Sequence, residues 1–258
     1  CSRTTAVQGR LHRAVAPPDD LYVVFHGQRS FPTMLNSMVE LTINTDASDQ
    51  PVVYLETFGC QMNELDSELV RGHLAALGYR FTPDADQADV VLYNTCSVRQ
   101  QAENKVLSRL GLLGKSKQAG RDVVIGVLGC MAEREGEALM DRMPQVSFIC
   151  GPGDLDPVPM LIDNACRVEE VSRADRVALQ GNTARRSQTL SAAEDGLESL
   201  DLSRAFDPSA AGAGGRSAYV RITRGCNKFC TYCVVPHTRG AEVHRPPDAI
   251  VEECRRLA

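Results

Sequence analysis

From Pro51 onward, short apolar, β-branched runs alternate with segments of helical length, and cysteine repeatedly stands just past the end of such a run. That alternation marks a parallel α/β sheet, because two parallel strands need a crossover long enough to be a helix. The spacing predicts strands over 52–57, 79–81, 89–94, 122–128 and 146–149. Helices are predicted over 63–77, 101–113, 133–143 and 155–165. In the second of these, Val106, Leu107, Leu110 and Leu113 fall on one face. The expected fold class is therefore α/β, a flavodoxin-like or Rossmann-like parallel sheet.

Flanking this block, the pattern changes. Residues 1–50 show no sustained period and begin with Cys1 instead of Met, so they read as a poorly ordered extension outside the domain. After the domain, at 51–167, residues 168–216 read as a linker, with an Ala/Gly-rich stretch toward its end. Residues 217–258 then offer a strand over 219–223, a cysteine loop and a helix over 247–257. About 42 residues are far fewer than the roughly 200 of a complete TIM-type barrel. Residues 217–258 are thus expected to be only the beginning of a second domain.

The chain has ten cysteines among 258 residues. In a small secreted protein they would suggest disulfides, but here six follow strand-like runs or cluster tightly, which favours metal binding in a reducing compartment. Cys60, Cys96 and Cys130 each fall just past the carboxyl end of an expected parallel strand. Those ends line one crevice in an open α/β sheet, so three residues remote in sequence should converge. Three converging thiolates suit an iron–sulfur cluster or zinc, against the plainer reading that free cysteine fills core space. Cys150 also follows a strand, but packing is the simpler role for it, as for Cys166 and Cys254.

Cys226, Cys230 and Cys233 form C-x-x-x-C-x-x-C directly after the strand expected to end at Thr223. Three thiolates can hold three irons of a [4Fe-4S] cube and leave the fourth iron open. Zinc is the chemical competitor, with His237 or Cys254 as a fourth ligand. Net charge is −5 overall, yet from Arg216 onward eight Lys/Arg face four Asp/Glu, so that segment carries +4. A basic segment suits a polyanion, and Arg221, Arg224, Lys228 and Arg239 are the candidates to meet phosphate. No apolar run approaches the roughly 18 residues of a membrane span. No Gly-rich phosphate loop follows the first strand, which disfavours a flavodoxin-like nucleotide binder.

The text Thr57-Phe58-Gly59-Cys60-Gln61-Met62-Asn63, Asp66-Ser67-Glu68, Asn94-Thr95-Cys96-Ser97-Val98-Arg99, Gly129-Cys130-Met131-Ala132 and Arg224 through Arg239 resembles the radical-SAM methylthiotransferase family. Its nearest likeness is to the members that act on isopentenylated (dimethylallyl) adenosine in tRNA. The resemblance covers roughly 51–258 and implies a cytoplasmic enzyme with two [4Fe-4S] clusters. Cys226, Cys230 and Cys233 would hold the cluster that binds S-adenosyl-L-methionine, and Cys60, Cys96 and Cys130 the auxiliary one. It further implies radical abstraction of hydrogen from an adenine carbon, insertion of sulfur, and methyl transfer from a second S-adenosyl-L-methionine. The implied partners are tRNA, a reducing electron donor and a system that loads sulfur or clusters. No membrane partner is implied. Beyond the cluster ligands no catalytic residue is assigned. Later barrel strands and a C-terminal RNA-binding domain are implied too, so the chain reads as C-terminally truncated and inactive alone.

Two alternatives stand beside this reading. Related members modify threonylcarbamoyl-adenosine in tRNA or an aspartate on a ribosomal protein, and a non-catalytic metal-binding scaffold would use the same spacing. Asn63, Asp66, Ser67 and Glu68 are expected to cap and charge the following helix. Asn94 and Arg99 are expected to orient the loop around Cys96. Phe229 and Tyr232 lie between the cysteines of the second set, where they would shield a metal or stack on adenine.

Overall fold

The computed structural model describes residues 51–153, 155–167, 172–179 and 218–257. The expectations for 1–50 and for the Ala/Gly-rich stretch before Arg216 lie outside the described residues.

Six parallel strands form one sheet in the order β2-β1-β3-β4-β5-β6. They are β1 (Val52–Phe58), β2 (Arg80–Phe81), β3 (Val90–Thr95), β4 (Val124–Gly129), β5 (Phe148–Cys150) and β6 (Val177–Ala178). Between them run α1 (Gln61–Ala76), α2 (Gln100–Gln118), α3 (Cys130–Glu135), α4 (Glu137–Arg142) and α5 (Val158–Arg167). The order 2-1-3-4-5 is that of flavodoxin-like sheets, so the expected α/β class holds. Every residue of β3 and β4 is buried, as a strand covered by helices on both faces must be.

Side-chain alternation along β3 divides the core. Val90 and Leu92 pack with Leu65, Leu69 and Leu74 of α1 and with Leu161 and Ile162 of α5. Val91 and Tyr93 face the other way, onto Val106, Leu110 and Leu113 of α2. Gly126 in β4 is set by packing: a Cβ there would stand 2.8 Å from Leu92 Cδ2 and press on the Phe148 ring.

Three expectations need correction. The helix foreseen over 133–143 is two helices, starting earlier, at Cys130, and broken at Gly136, whose φ of 57° no helix interior accepts. The span foreseen as linker from 168 contains a 3₁₀ turn (Arg173–Arg176) and β6, which pairs Ile149 with Val177 and Cys150 with Ala178. Only two residues long, β6 left no period to read. The strand foreseen over 219–223 forms only at Thr223–Arg224 (β7), which pairs antiparallel with Val243–His244 (β8). Tyr219 and Ile222 are exposed, and no parallel neighbour flanks them among the described residues.

A short helix, Val235–Thr238, and a final helix, Pro247–Leu257, complete the described chain. Among the described residues no helix is long and apolar enough to cross a membrane.

Candidate metal centre

The ends of β1, β3 and β4 lie side by side: Phe58 pairs with Thr95, and Thr95 with Gly129. Cys60, Cys96 and Cys130 follow those residues by two, one and one positions. The register alone therefore brings the three thiols to one rim, at the carboxyl edge where sheets of this order bind ligands. Cys96 is anchored by its N–H donating to Phe58 O at 2.9 Å. Gly59 passes so close that a Cβ would sit 2.6 Å from Cys96 Cβ. Cys60 is half-buried at the N-cap of α1, whereas Cys96 and Cys130 are buried at 1% and 4% exposure.

Beneath the thiols lies a buried amide network. Asn63 Nδ2 donates to Asn94 Oδ1, and Asn94 Nδ2 donates to Asn63 O and to Ser67 Oγ, each at 2.9 Å. Thr57 Oγ1 donates to Ser67 Oγ at 2.7 Å, and Cys60 Sγ donates to Asn63 Oδ1 at 3.2 Å. Asn63 and Ser67 thus tie α1 to β1 and β3 instead of capping the helix, correcting that expectation; the N-cap residue, Cys60, makes no side-chain cap bond to the helix backbone. Asn94, expected to orient the loop around Cys96, bonds Asn63 and Ser67 of α1. Arg99 sits at the N-cap of α2 and makes no side-chain cap bond there. Gly129, with φ at 90°, lets β4 turn into α3 where any side chain would strike Asn94 and the Thr95 carbonyl.

Burial pushes the Cys96 thiol up, and the neighbouring Cys60, within hydrogen-bonding reach, adds to that rise. Burial likewise pushes Cys130 up, opposed chiefly by the charge of Arg239. Arg239 reaches this pocket from beyond the Val235–Thr238 helix. Its Nη2 donates to Asp66 Oδ2 at 2.7 Å, with the two side chains 6% and 0% exposed. Although burial works against its charge, Asp66 and the adjacent thiols keep the guanidinium more firmly protonated than usual.

Among the described residues, no group of three or more His, Cys, Asp or Glu is gathered closely enough to grip a metal ion. The pocket nonetheless fits a metal–sulfur group in two respects. Its donors are soft thiols, the type such clusters require. Three buried oxygens around them, Asp66 Oδ1, Thr95 Oγ1 and Ser97 Oγ, have no hydrogen-bond partner among the described residues, and two of these flank Cys96. The two hydroxyls, Thr95 Oγ1 and Ser97 Oγ, are buried donors without an acceptor among the described residues, costly unless something such as thiolate or sulfide sulfur accepts from them.

The second set lies on a more open loop. Cys226 and Cys233 are half-buried and Cys230 is exposed. Cys226 N–H donates to Gly240 O at 3.2 Å, and Cys233 N–H to Cys230 O at 2.9 Å, while Phe229 takes a φ of 48° between them. Three soft donors on one short loop suit a cluster, so the donor chemistry fits here too. Tyr232 is 90% exposed. Phe229 is half exposed and meets His237 edge-on at 6.2 Å. Cys150 packs in the core as foreseen, and Cys166 packs against it, but Cys254 is exposed.

A model described as uncharacterized protein family UPF0004 matches residues 52–151. A tRNA-2-methylthio-N(6)-dimethylallyladenosine synthase of Opitutus terrae is 40% identical over 217 residues, covering 80% of this chain and 45% of that protein. Proteins of the same name from Rhodopirellula baltica and Acidithiobacillus ferrooxidans are each 43% identical over 206 residues, covering 80% of this chain and 41% of theirs. Over 80% of its length the chain is similar to these tRNA-2-methylthio-N(6)-dimethylallyladenosine synthases. It spans less than half the length of the curated relatives it matches.

The residue that sequence reasoning misjudged most is Arg239. The basic segment makes it a candidate for phosphate, with Arg221, Arg224 and Lys228, yet Arg239 and Arg221 are buried and Arg224 donates to Gly153 O at 2.7 Å. Of the four only Lys228 is exposed. Asp66, assigned to charging a helix end, is its buried partner 173 residues away. Each belongs to a motif quoted for the family resemblance, but no local spacing links them.

Proposed function

We propose that this chain belongs to a tRNA methylthiotransferase that adds a methylthio group to the adenine of isopentenylated (dimethylallyl) adenosine beside the anticodon. The observation that carries the reading is the convergence of Cys60, Cys96 and Cys130 on one rim of the sheet, together with the Cys226, Cys230, Cys233 loop held beside it. Relatives 40% and 43% identical, each over 80% of this chain, support the substrate. The cofactors are two [4Fe-4S] clusters and S-adenosyl-L-methionine. Partners are the tRNA, a reducing electron donor and a sulfur- or cluster-loading system, and the compartment is the cytoplasm. The α/β domain runs from 51 through β6, a shorter linker follows, and residues 218–257 open the radical-SAM part.

When bound, these groups supply the reducing and radical chemistry for an unreactive C–H bond and a source of sulfur. The chain's own residues bind, orient and shield. Cys60, Cys96 and Cys130 are the ligands of the auxiliary cluster. Asn63 and Asn94 fix the Cys60 loop, and the Thr95 and Ser97 hydroxyls stand ready to donate to sulfur. Cys226, Cys230 and Cys233 present three thiols on a loop open enough to admit a cosubstrate.

The test is iron content and Mössbauer spectra after anaerobic reconstitution. About eight irons per chain are expected, falling to about four in either the Cys226→Ala, Cys230→Ala, Cys233→Ala variant or the Cys60→Ala, Cys96→Ala, Cys130→Ala variant. Stoichiometric zinc, or iron that neither variant reduces, would overturn the proposal in favour of a metal-binding scaffold.

A further inference from the structure

Arg239 is joined to both cysteine sets. Its side chain enters the pocket beneath the first set, bonding Asp66 on the helix that Cys60 begins, and its charge acts on Cys130, Cys96 and Cys60. Its backbone belongs to the second set: its N–H donates to Val235 O at 2.9 Å, and the next residue, Gly240, accepts from Cys226 N–H at 3.2 Å. Thr238, buried beside it, lies within hydrogen-bonding reach of Cys130. The Val235–Thr238 helix packs on α3, which begins with Cys130. A surface ion pair would contribute little, but one this buried strongly disfavours any arrangement that parts its members.

We propose that Arg239 is a positioning residue: with Asp66 it latches the loop bearing Cys226, Cys230 and Cys233 onto the three-thiol pocket, and so fixes the two cysteine sets relative to each other. The purpose of the latch rests on the two-cluster reading above. Its existence does not. Removing the guanidinium frees the Val235–Thr238 helix from α3, uncovers Cys130 and loosens the amide of Cys226, while the sheet stays folded. Cys150, fully buried in the sheet core, serves as the internal control.

The test compares the intact, metal-free, anaerobically reduced protein with Arg239→Gln, Arg239→Lys and Asp66→Asn. Alkylation rates of Cys130 and Cys150 and hydrogen exchange of the Cys226 and Arg239 amides are followed by mass spectrometry. Arg239→Gln and Asp66→Asn are expected to raise Cys130 alkylation and exchange at Cys226 and Arg239 by at least about tenfold, with Cys150 unchanged. Arg239→Lys, keeping charge but losing the fork, should fall between parent and Arg239→Gln. Unchanged rates at Cys130 and Cys226 overturn the latch. So does Cys150 accelerating equally, because the pair would then act on global stability alone. Failure of the parent protein to bind iron would sink the proposed function while leaving these rates as predicted.

Discussion

Replacing Asn94 with alanine removes three buried hydrogen bonds at once, each 2.9 Å long. Their partners do not suffer equally. The Asn63 carbonyl remains inside α1 and keeps its place in the helical ladder, and Ser67 Oγ keeps its bond from Thr57. Those two losses cost about 1 kcal/mol each. Asn63 Nδ2 is left without its acceptor in a fully buried position, which adds about 1–3 kcal/mol for an unmet donor. The sum is about 3–5 kcal/mol, a large part of the stability of an ordinary domain. The assay is urea unfolding of the reduced, metal-free protein, where the midpoint should fall and the denaturant slope should not change. A loss below about 1 kcal/mol would refute the reasoning, since it would mean that water or a repacked Asn63 satisfies the network. Because Asn63 also accepts from Cys60 Sγ, the same variant should weaken iron retention at the first cysteine set.

Two further outcomes follow from the sheet. Gly126→Ala forces a methyl against Leu92 and the Phe148 ring, and should cost about 1–3 kcal/mol in urea unfolding; a neutral effect would mean that β5 yields more readily than a packed core does. Burial, aided by the charge of Glu56, pushes the Tyr93 phenol up to about 12. Below roughly pH 10 the phenol is protonated in both folded and unfolded chains and contributes no pH dependence. Above that the unfolded chain binds fewer protons, so stability falls as pH rises through the interval to about 12, by up to about 1.4 kcal/mol per pH unit. Urea midpoints across that interval should decline less steeply in Tyr93→Phe, and an equally steep decline would overturn the assignment.

The sheet was legible because its signals are local. The runs ending at Thr57, Asn94 and Leu128 each declare a buried strand, and strand order places their ends together, so Cys60, Cys96 and Cys130 needed no tertiary information to be grouped. What failed to be read depends on single residues or on distant pairs. Gly136 interrupts a segment whose apolar period runs on unbroken. The β6 edge strand is too short to carry a period at all. Asn63 and Asn94 each look like helix-end or loop residues in their own neighbourhoods, and only the register of β1 with β3 makes them a pair.

Charge shows the same failure in its sharpest form. The +4 of the segment from Arg216 onward invites a polyanion, yet its arginines are largely turned inward. Arg239 holds Asp66, Arg245 bonds Glu253 and the Arg221 carbonyl, and Arg224 holds the Gly153 carbonyl. Among the cations of that segment described in the structure, Lys228, Arg255 and Arg256 stand exposed, and the last two lie within ion-pair range of Glu252. A guanidinium committed to a buried carboxylate offers no counterion release to a phosphate backbone. The case for tRNA as substrate therefore rests on the named relatives and not on the basic segment, whose arginines act instead as internal fasteners around the two cysteine sets.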